Sequence, residues 1–169
     1  TRLMTGQNII FGAYATGKAQ ELVKILNEST GETVVVSPEV EKRCGVYDYF
    51  GVKQDRAVIG SREAAEIMRD PFIYVVPFNH VNKYSEGWFA AQYKKVTLAL
   101  ATGWAARFQY QYKAFPLSDH ADFSEILSYV EQSRAKRIVC HYAHADIMAK
   151  ELRNRGYNAI TDSEFKRLE

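Results

Sequence analysis

The sequence predicts an α/β protein, a Rossmann-like parallel sheet with helices on its faces. Three observations carry this expectation. Short apolar runs rich in β-branched residues (Asn8 to Tyr14, Thr33 to Val36, Phe72 to Pro77) have the length and composition of buried strands. Amphipathic stretches stand between them, as in Lys18 to Asn27, where Ala19, Leu22, Val23 and Leu26 share one face. Turn-forming residues (Thr16-Gly17, Glu28 to Gly31, Ser37-Pro38) separate one kind of segment from the other. Strands alternating with helices in this way argue for a parallel sheet.

The elements follow in order. Ser37-Pro38 supplies an N-cap and a first helical position for a helix running toward Phe50-Gly51. Ser61 caps a short helix to Met68, with Glu63 and Glu66 on its polar side. Asn79 to Tyr93 is aromatic without a clear period and is predicted to be irregular. Lys95 to Ala101 is an apolar strand ending at Thr102-Gly103-Trp104. Arg107 to Phe115 alternates polar and aromatic residues, the pattern of a strand with two unlike faces. Asp122 to Gln132 is a helix with Phe123, Ile126, Leu127 and Val130 inward. Arg137 to Cys140 is a strand, and Ala143 to Arg155 is a helix that Gly156 ends. Tyr157 to Ile160 closes the chain as a strand. There is no internal repeat, low-complexity segment or flexible linker.

Composition bounds the function. The chain has 169 residues, 47% apolar and 25% charged, as an ordinary soluble globular protein does. A net charge of +2 is too weak to argue nucleic-acid binding by itself. No apolar run is long enough to span a membrane, and Thr1 to Gly17 lacks the pattern of a signal peptide. The two cysteines, Cys44 and Cys140, lie far apart in apolar contexts. A cytoplasmic protein with reduced, buried thiols is expected. The high aromatic content serves cores and interfaces, or base stacking.

The residues that carry chemistry lie mostly in the second half. Ser118-Asp119-His120-Ala121-Asp122 sets a histidine between two acids at a helix start. A carboxylate there favours the protonated imidazole and orients it, which suits a general acid. The same acids also serve simply to cap and charge the helix. His141 ends a hydrophobic strand, where sites assemble in α/β folds, and His144 follows at a spacing that puts both on one side if the helix starts early. His80 stands in a loop with no partner in view and reads as structural. In the first half, Tyr14 to Gln20 places small residues between strand and helix. Amides at that helix start, with Gly17 and Lys18, suit an anion; tight strand–helix packing needs the same small residues. It is not a P-loop, and the dinucleotide-binding glycine fingerprint is missing.

Four segments in order resemble the later part of the metallo-β-lactamase-fold nucleases that carry a β-CASP insertion. These include cleavage and polyadenylation endonuclease-like proteins, RNase J-like enzymes, and the mRNA 3′-end-processing or DNA-ligase-associated exonucleases. Ala13 to Leu22 is similar to the family's aromatic–Ala–Leu–Gly–Arg/Lys–Ala–Gln–Glu–Leu segment, with Thr16 in place of Leu. Ala101 to Ala105 is similar to its Ser–Gly–Trp segment, and Ser118 to Phe123 to its Ser–Ala/Asp–His–Ala–Asp motif. Val139-Cys140-His141 is similar to the final motif, with Tyr142 where the family has Gly.

The resemblance implies roles. His120 takes the place of the histidine beside the scissile phosphate, a candidate proton donor, with Asp119 and Asp122 positioning its loop. His141 takes the place of a zinc ligand. Gly17, Lys18 and Gly103 fall on the substrate side. Residues 1–113 correspond to the β-CASP domain and 114–169 to the last strands and helices of the metallo-β-lactamase fold. The family's His–x–His–x–Asp–His metal motif does not occur here. The resemblance therefore implies a zinc-dependent nuclease acting on single-stranded RNA or DNA, whose metal-binding half is supplied in cis or in trans. The chain alone is expected to hold zinc weakly, since a stable site needs three or four ligands. Two alternatives remain open. One is a non-catalytic nucleic-acid-binding or partner-docking module, with a basic cleft of Lys18, Arg107 and Lys113. The other is half of a split enzyme that self-associates through uncovered apolar surface.

Overall fold

A computed structural model describes residues 5–167. The outer limits expected for the two domains, Thr1 and Glu169, lie outside the described residues. The chain forms two compact units, Thr1–Asp119 and His120–Glu169.

The first unit is a Rossmann-like α/β fold. Its strands are β1 (Asn8–Ala13), β2 (Val34–Val36), β3 (Arg56–Val58), β4 (Ile73–Pro77), β5 (Val96–Ala101) and β6 (Lys113–Phe115). They make one sheet in the order β3-β2-β4-β1-β5-β6, with every pair parallel. The helices are α1 (Lys18–Thr30), α2 (Pro38–Tyr49), α3 (Arg62–Ile67) and α4 (Lys83–Gln92). Because side chains alternate along a strand, the sheet feeds two separate cores. Phe11, Val34, Val36 and Val75 pack with Ala19, Leu22 and Val23 of α1 and Val40 and Cys44 of α2. Ile10, Val35, Tyr74 and Val76 pack on the other side with Ala64 of α3 and Phe89 of α4. A sheet buried on both faces explains why its strands read as continuous apolar runs.

Local chemistry sets the helix ends. Ser37 Oγ accepts from Val40 N at 3.3 Å and Ser61 Oγ from Ala64 N at 3.0 Å, as their positions predict. Gly31, at φ 74°, closes α1 with its amide on the Asn27 carbonyl. At the sheet edge, Arg56 of β3 is tied to α2 through Glu41 and Asp48, each at 2.8 Å.

Three sequence expectations change. The segment Asn79 to Tyr93 is not irregular: it contains α4, capped by Asn82, whose side chain accepts from Ser85 N at 3.1 Å while Ser85 Oγ accepts from Asn82 N at 3.0 Å. Asn with Ser is a weaker sequence signal than Ser with Glu, and aromatic residues on both sides of the helix hide its period. The predicted strand Arg107 to Phe115 shrinks to β6; Tyr110 and Tyr112 instead pack against the second core. Strand β3, Arg56–Val58, adds a short strand in a stretch where no element was expected.

The second unit holds α5 (Phe123–Ser133), β7 (Ile138–Cys140), α6 (Ala145–Asn154), β8 (Ala159–Thr161) and α7 (Asp162–Phe165). β7 and β8 form a two-stranded parallel sheet in the register Ile138↔Ala159, Val139↔Ile160, Cys140↔Thr161. Its core is small: Val130, Cys140, Ala149, Leu152 and Ala159. Among the described residues no helix is long and apolar enough to cross a membrane.

Candidate functional site

In the first unit the carboxyl ends of the central strands are level. The register pairs Ala13 with both Pro77 and Ala101, and Ala101 with Phe115. The chain leaves β1 into α1 on one face and β4 into α4 on the other, so a crevice is expected between these two strand ends. Here Tyr14 and Phe78 fill it, stacked with centroids 5.1 Å apart and planes 5° from parallel. That plug leaves the usual small-ligand position of such folds occupied by protein.

The turn into α1 is tightly built. Gly17 has φ 80° and ψ −80°, and Lys18 N donates to the Thr16 carbonyl at 3.1 Å. This is a γ-turn of the strained hand, which glycine enters most easily. Gln20, fully buried, locks it from below: its Oε1 accepts from Gly17 N at 2.8 Å and its Nε2 donates to the Ala15 carbonyl at 3.0 Å. Ala19 N donates to the Tyr14 carbonyl at 3.0 Å. The amides of Gly17, Lys18 and Ala19 are therefore satisfied inside the turn, which is the geometry of tight packing rather than of an anion cradle.

Lys18 is buried, and its ammonium pairs with Asp119 and lies 5.1 Å from the centre of the Tyr14 ring. A Cβ on Gly17 would fall on Asp119 Oδ2. Gly103 is held close in the same manner, since a Cβ there would lie 3.1 Å from Ser118 Cβ. The structure thus gathers Gly17, Lys18 and Asp119 around one buried ion pair, with Gly103 packed on Ser118. Lys18 drops out of the expected basic cleft, because burial and Asp119 take its charge.

In the second unit Asp122 is the N-cap of α5. Its carboxylate accepts from Glu125 N at 2.9 Å, and Glu125 Oε2 accepts from Asp122 N at 2.8 Å. His120 is exposed ahead of that cap. His141 and Asp162 stand one residue beyond the registered pair Cys140↔Thr161, so the parallel ladder sets them side by side. Asp162 Oδ2 lies 2.8 Å from His141 Nδ1. That hydrogen bond holds the Asp162 carboxyl below the usual carboxylate range. An ionised carboxylate only accepts, so Nδ1 is the donor in this bond and Nε2 is the ring nitrogen outside it, on a side chain that is 55% exposed.

Tyr142 adopts φ 68°, and His144 follows at φ 65°. The turn that glycine would make freely is made by non-glycine residues. His144 is the N-cap of α6, so it and His141 are not one turn apart on a helix, yet both line the same cavity of about 320 Å³. Cys140, Val130, Met148 and Leu152 form its apolar floor.

Sequence reading missed Asp162, Gln20 and Asp119's pairing with Lys18. Asp162 lies 21 residues from His141 and Asp119 lies 101 from Lys18; only strand register and the folded sheet bring them together. Gln20 had a local signal, an amide side chain on the apolar side of α1. No group of three or more His, Cys, Asp or Glu is arranged to hold a metal among the described residues.

No family model matches the chain. Over 97% of its length it is 33% identical to a protein of Opitutus terrae named Probable DNA ligase. The chain spans 16% of the length of that curated relative.

Proposed function

We propose that this chain is part of a metal-dependent nuclease of the β-CASP type, acting on single-stranded DNA in the setting of DNA joining. The observation that carries this reading is the His141–Asp162 pair: a half-exposed imidazole oriented through Nδ1 by a carboxylate, with Nε2 outside that bond. That is how metal-ligating histidines are dressed, because the carboxylate fixes the ring and raises its basicity. The order of the four resembling segments supports it. The name of the Opitutus terrae protein supports the ligase-associated branch, and with it DNA over RNA.

The residues present do not form a full zinc shell, so no catalytic step is derived through zinc from this chain alone. Within the whole enzyme, zinc would supply the activation of water. This chain's own contribution is narrower. His141 offers one ligand nitrogen, Nε2, and Asp162 holds the ring in place through Nδ1. His120 is assigned the proton delivered to the leaving oxygen. Exposed apolar side chains of the second unit, Val139, Ile147 and Tyr129, are consistent with a sheet and helices that the metal-binding half would cover.

The test joins this chain, in cis or in trans, to a region bearing the His–x–His–x–Asp–His motif. Zinc-dependent cleavage of single-stranded DNA is expected. His141→Ala should abolish it, and His120→Ala should slow it by about 10²- to 10⁴-fold while substrate still binds. Independently of activity, the ring ¹⁵N shifts of His141 in the isolated chain should report the Nδ1-protonated tautomer and lose it in Asp162→Asn. Cleavage that survives His141→Ala would overturn the assignment. The alternative reading, a non-catalytic nucleic-acid-binding module, is supported by the exposed Arg107 and Lys113. It predicts binding with no cleavage in any combination.

A further inference from the structure

The stretch Gly87 to Ser118 contains no acidic residue, yet holds Lys94, Lys95, Arg107, Lys113 and eight aromatic residues. The fold sorts those aromatics. Phe89, Tyr93, Tyr110 and Tyr112 belong to or pack against the core beneath the sheet. Trp88 is as exposed as Trp104, at 54%, but its ring is held edge-on against Phe89 and Tyr93. Trp104, Phe108 and Phe115 remain about half exposed, at 54%, 52% and 48%.

The last three lie in one unit, and the Phe115 ring packs with its centroid 5.8 Å from that of Phe11. Trp104 and Phe108 have ring centroids 5.5 Å apart, and the Arg107 guanidinium lies 5.8 Å from the centre of the Phe108 ring. Thr102 N, two residues before Trp104, donates to the Phe115 carbonyl at 3.0 Å. Lys113 and Phe115 are two residues apart on the edge strand β6 and so share one face. Trp104 and Phe115 thus sit at the carboxyl ends of adjacent strands. Tyr14 and Phe78, by contrast, are stacked on each other and serve as a rigid flank.

We infer that Trp104, Arg107, Phe108, Lys113 and Phe115 form a stacking platform for single-stranded nucleic acid. Aromatic rings take the bases, and the two cations take the phosphates. The inference rests on the reading of the chain as part of a nucleic-acid enzyme and deepens it by assigning the substrate-holding residues. Charge decides among occupants. Arg107 and Lys113 form no ion pair among the described residues, and no acid lies within the whole segment. An apolar protein partner has no use for unpaired cations beside these exposed rings, whereas a polyanion with flat apolar bases matches both. Flat faces without a hydrogen-bonding pocket also imply tolerance of base sequence. Paired bases in a duplex hide their faces, so single strands are required.

The test is fluorescence anisotropy of a labelled oligodeoxythymidylate with the 169-residue chain in EDTA, where cleavage is silent. Binding is expected, and an unlabelled duplex should compete poorly. Trp104→Ala and Phe108→Ala should each weaken binding by about 5- to 100-fold, with Trp104→Phe recovering most of the loss. Arg107→Ala should reduce the slope of log K against log salt by about 0.7. Lys24→Ala, which removes an exposed cation on α1 that is paired with Glu28, should bind as the parent does. Because the assay excludes metal, its failure leaves the nuclease assignment standing, and failure of the cleavage test leaves the platform standing. The platform is overturned if the oligonucleotide does not bind or if aromatic truncations in chains of unchanged urea midpoint leave binding intact. It is also overturned if these substitutions alter only self-association.

Discussion

Replacing Gly17 with alanine tests how the first turn is held. The residue sits at φ 80°, ψ −80°, a conformation that costs a residue with a Cβ about 1–3 kcal/mol. The new Cβ would also fall on Asp119 Oδ2 and push that carboxylate off Lys18, whose side chain is only 6% exposed. Breaking a fully buried pair costs about 3–5 kcal/mol, but Asp119 is 35% exposed and water partly replaces its partner, so about 1–2 kcal/mol is the share expected here. The sum is about 2–5 kcal/mol. Gly31 is the control: its φ is 74°, yet nothing lies within 4 Å of where a Cβ would stand, so Gly31→Ala should cost only the backbone share, about 1–2 kcal/mol. Both tryptophans, Trp88 and Trp104, lie in the first unit, so their fluorescence reports its unfolding in urea. With a slope of about 2 kcal/mol per molar, Gly17→Ala should lower the midpoint by about 1–2.5 M and Gly31→Ala by about 0.5–1 M. The Gly17→Ala/Asp119→Ala double variant should be less destabilised than the sum of the singles by about 1 kcal/mol, since the clash is then gone. Equal costs at Gly17 and Gly31, or strict additivity with Asp119→Ala, would refute the argument.

Three further outcomes follow from the geometry. Tyr142→Gly should stabilise the second unit by about 0.5–1 kcal/mol, because it relieves a left-handed backbone at a side chain that is 85% exposed and whose ring contact is with His141 at 4.1 Å; a loss of thermal stability would count against this. The hydrogen bond from His141 depresses the Asp162 carboxyl, so its stabilisation is present above the ordinary carboxylate range and lost as pH falls through the depressed value. The parent's second unit should therefore lose more stability in acid than that of Asp162→Asn, and parallel acid curves by circular dichroism would contradict it. Burial raises both the Cys44 and Cys140 thiols, so neither should react with a disulfide reagent near neutral pH until urea is added.

Much of the fold was legible because it depends on short-range chemistry. Val34-Val35-Val36 reads as a strand wherever it is placed, and Ser37-Pro38 starts a helix by its own hydroxyl and ring. Helix α4 was not legible because aromatic residues occupy both its buried and exposed sides, Phe89 within the core and Trp88 outside it. Of the candidate site, His141 was visible as a histidine at a strand end, and Asp122 as an acid at a helix start.

By itself the sequence determined the alternation of strand and helix, the caps that divide the elements, and the identity of the histidines worth weighing. These follow from periodicity, turn residues and side-chain chemistry, which act over a few residues. The tertiary structure alone decided which groups meet. Parallel register set Asp162 beside His141, sheet assembly buried Lys18 against Asp119, and packing left Trp104 and Phe108 exposed while Tyr110 and Tyr112 were drawn onto the core. Such pairings join residues far apart along the chain, and no local pattern encodes them, because they exist only once the sheet has formed.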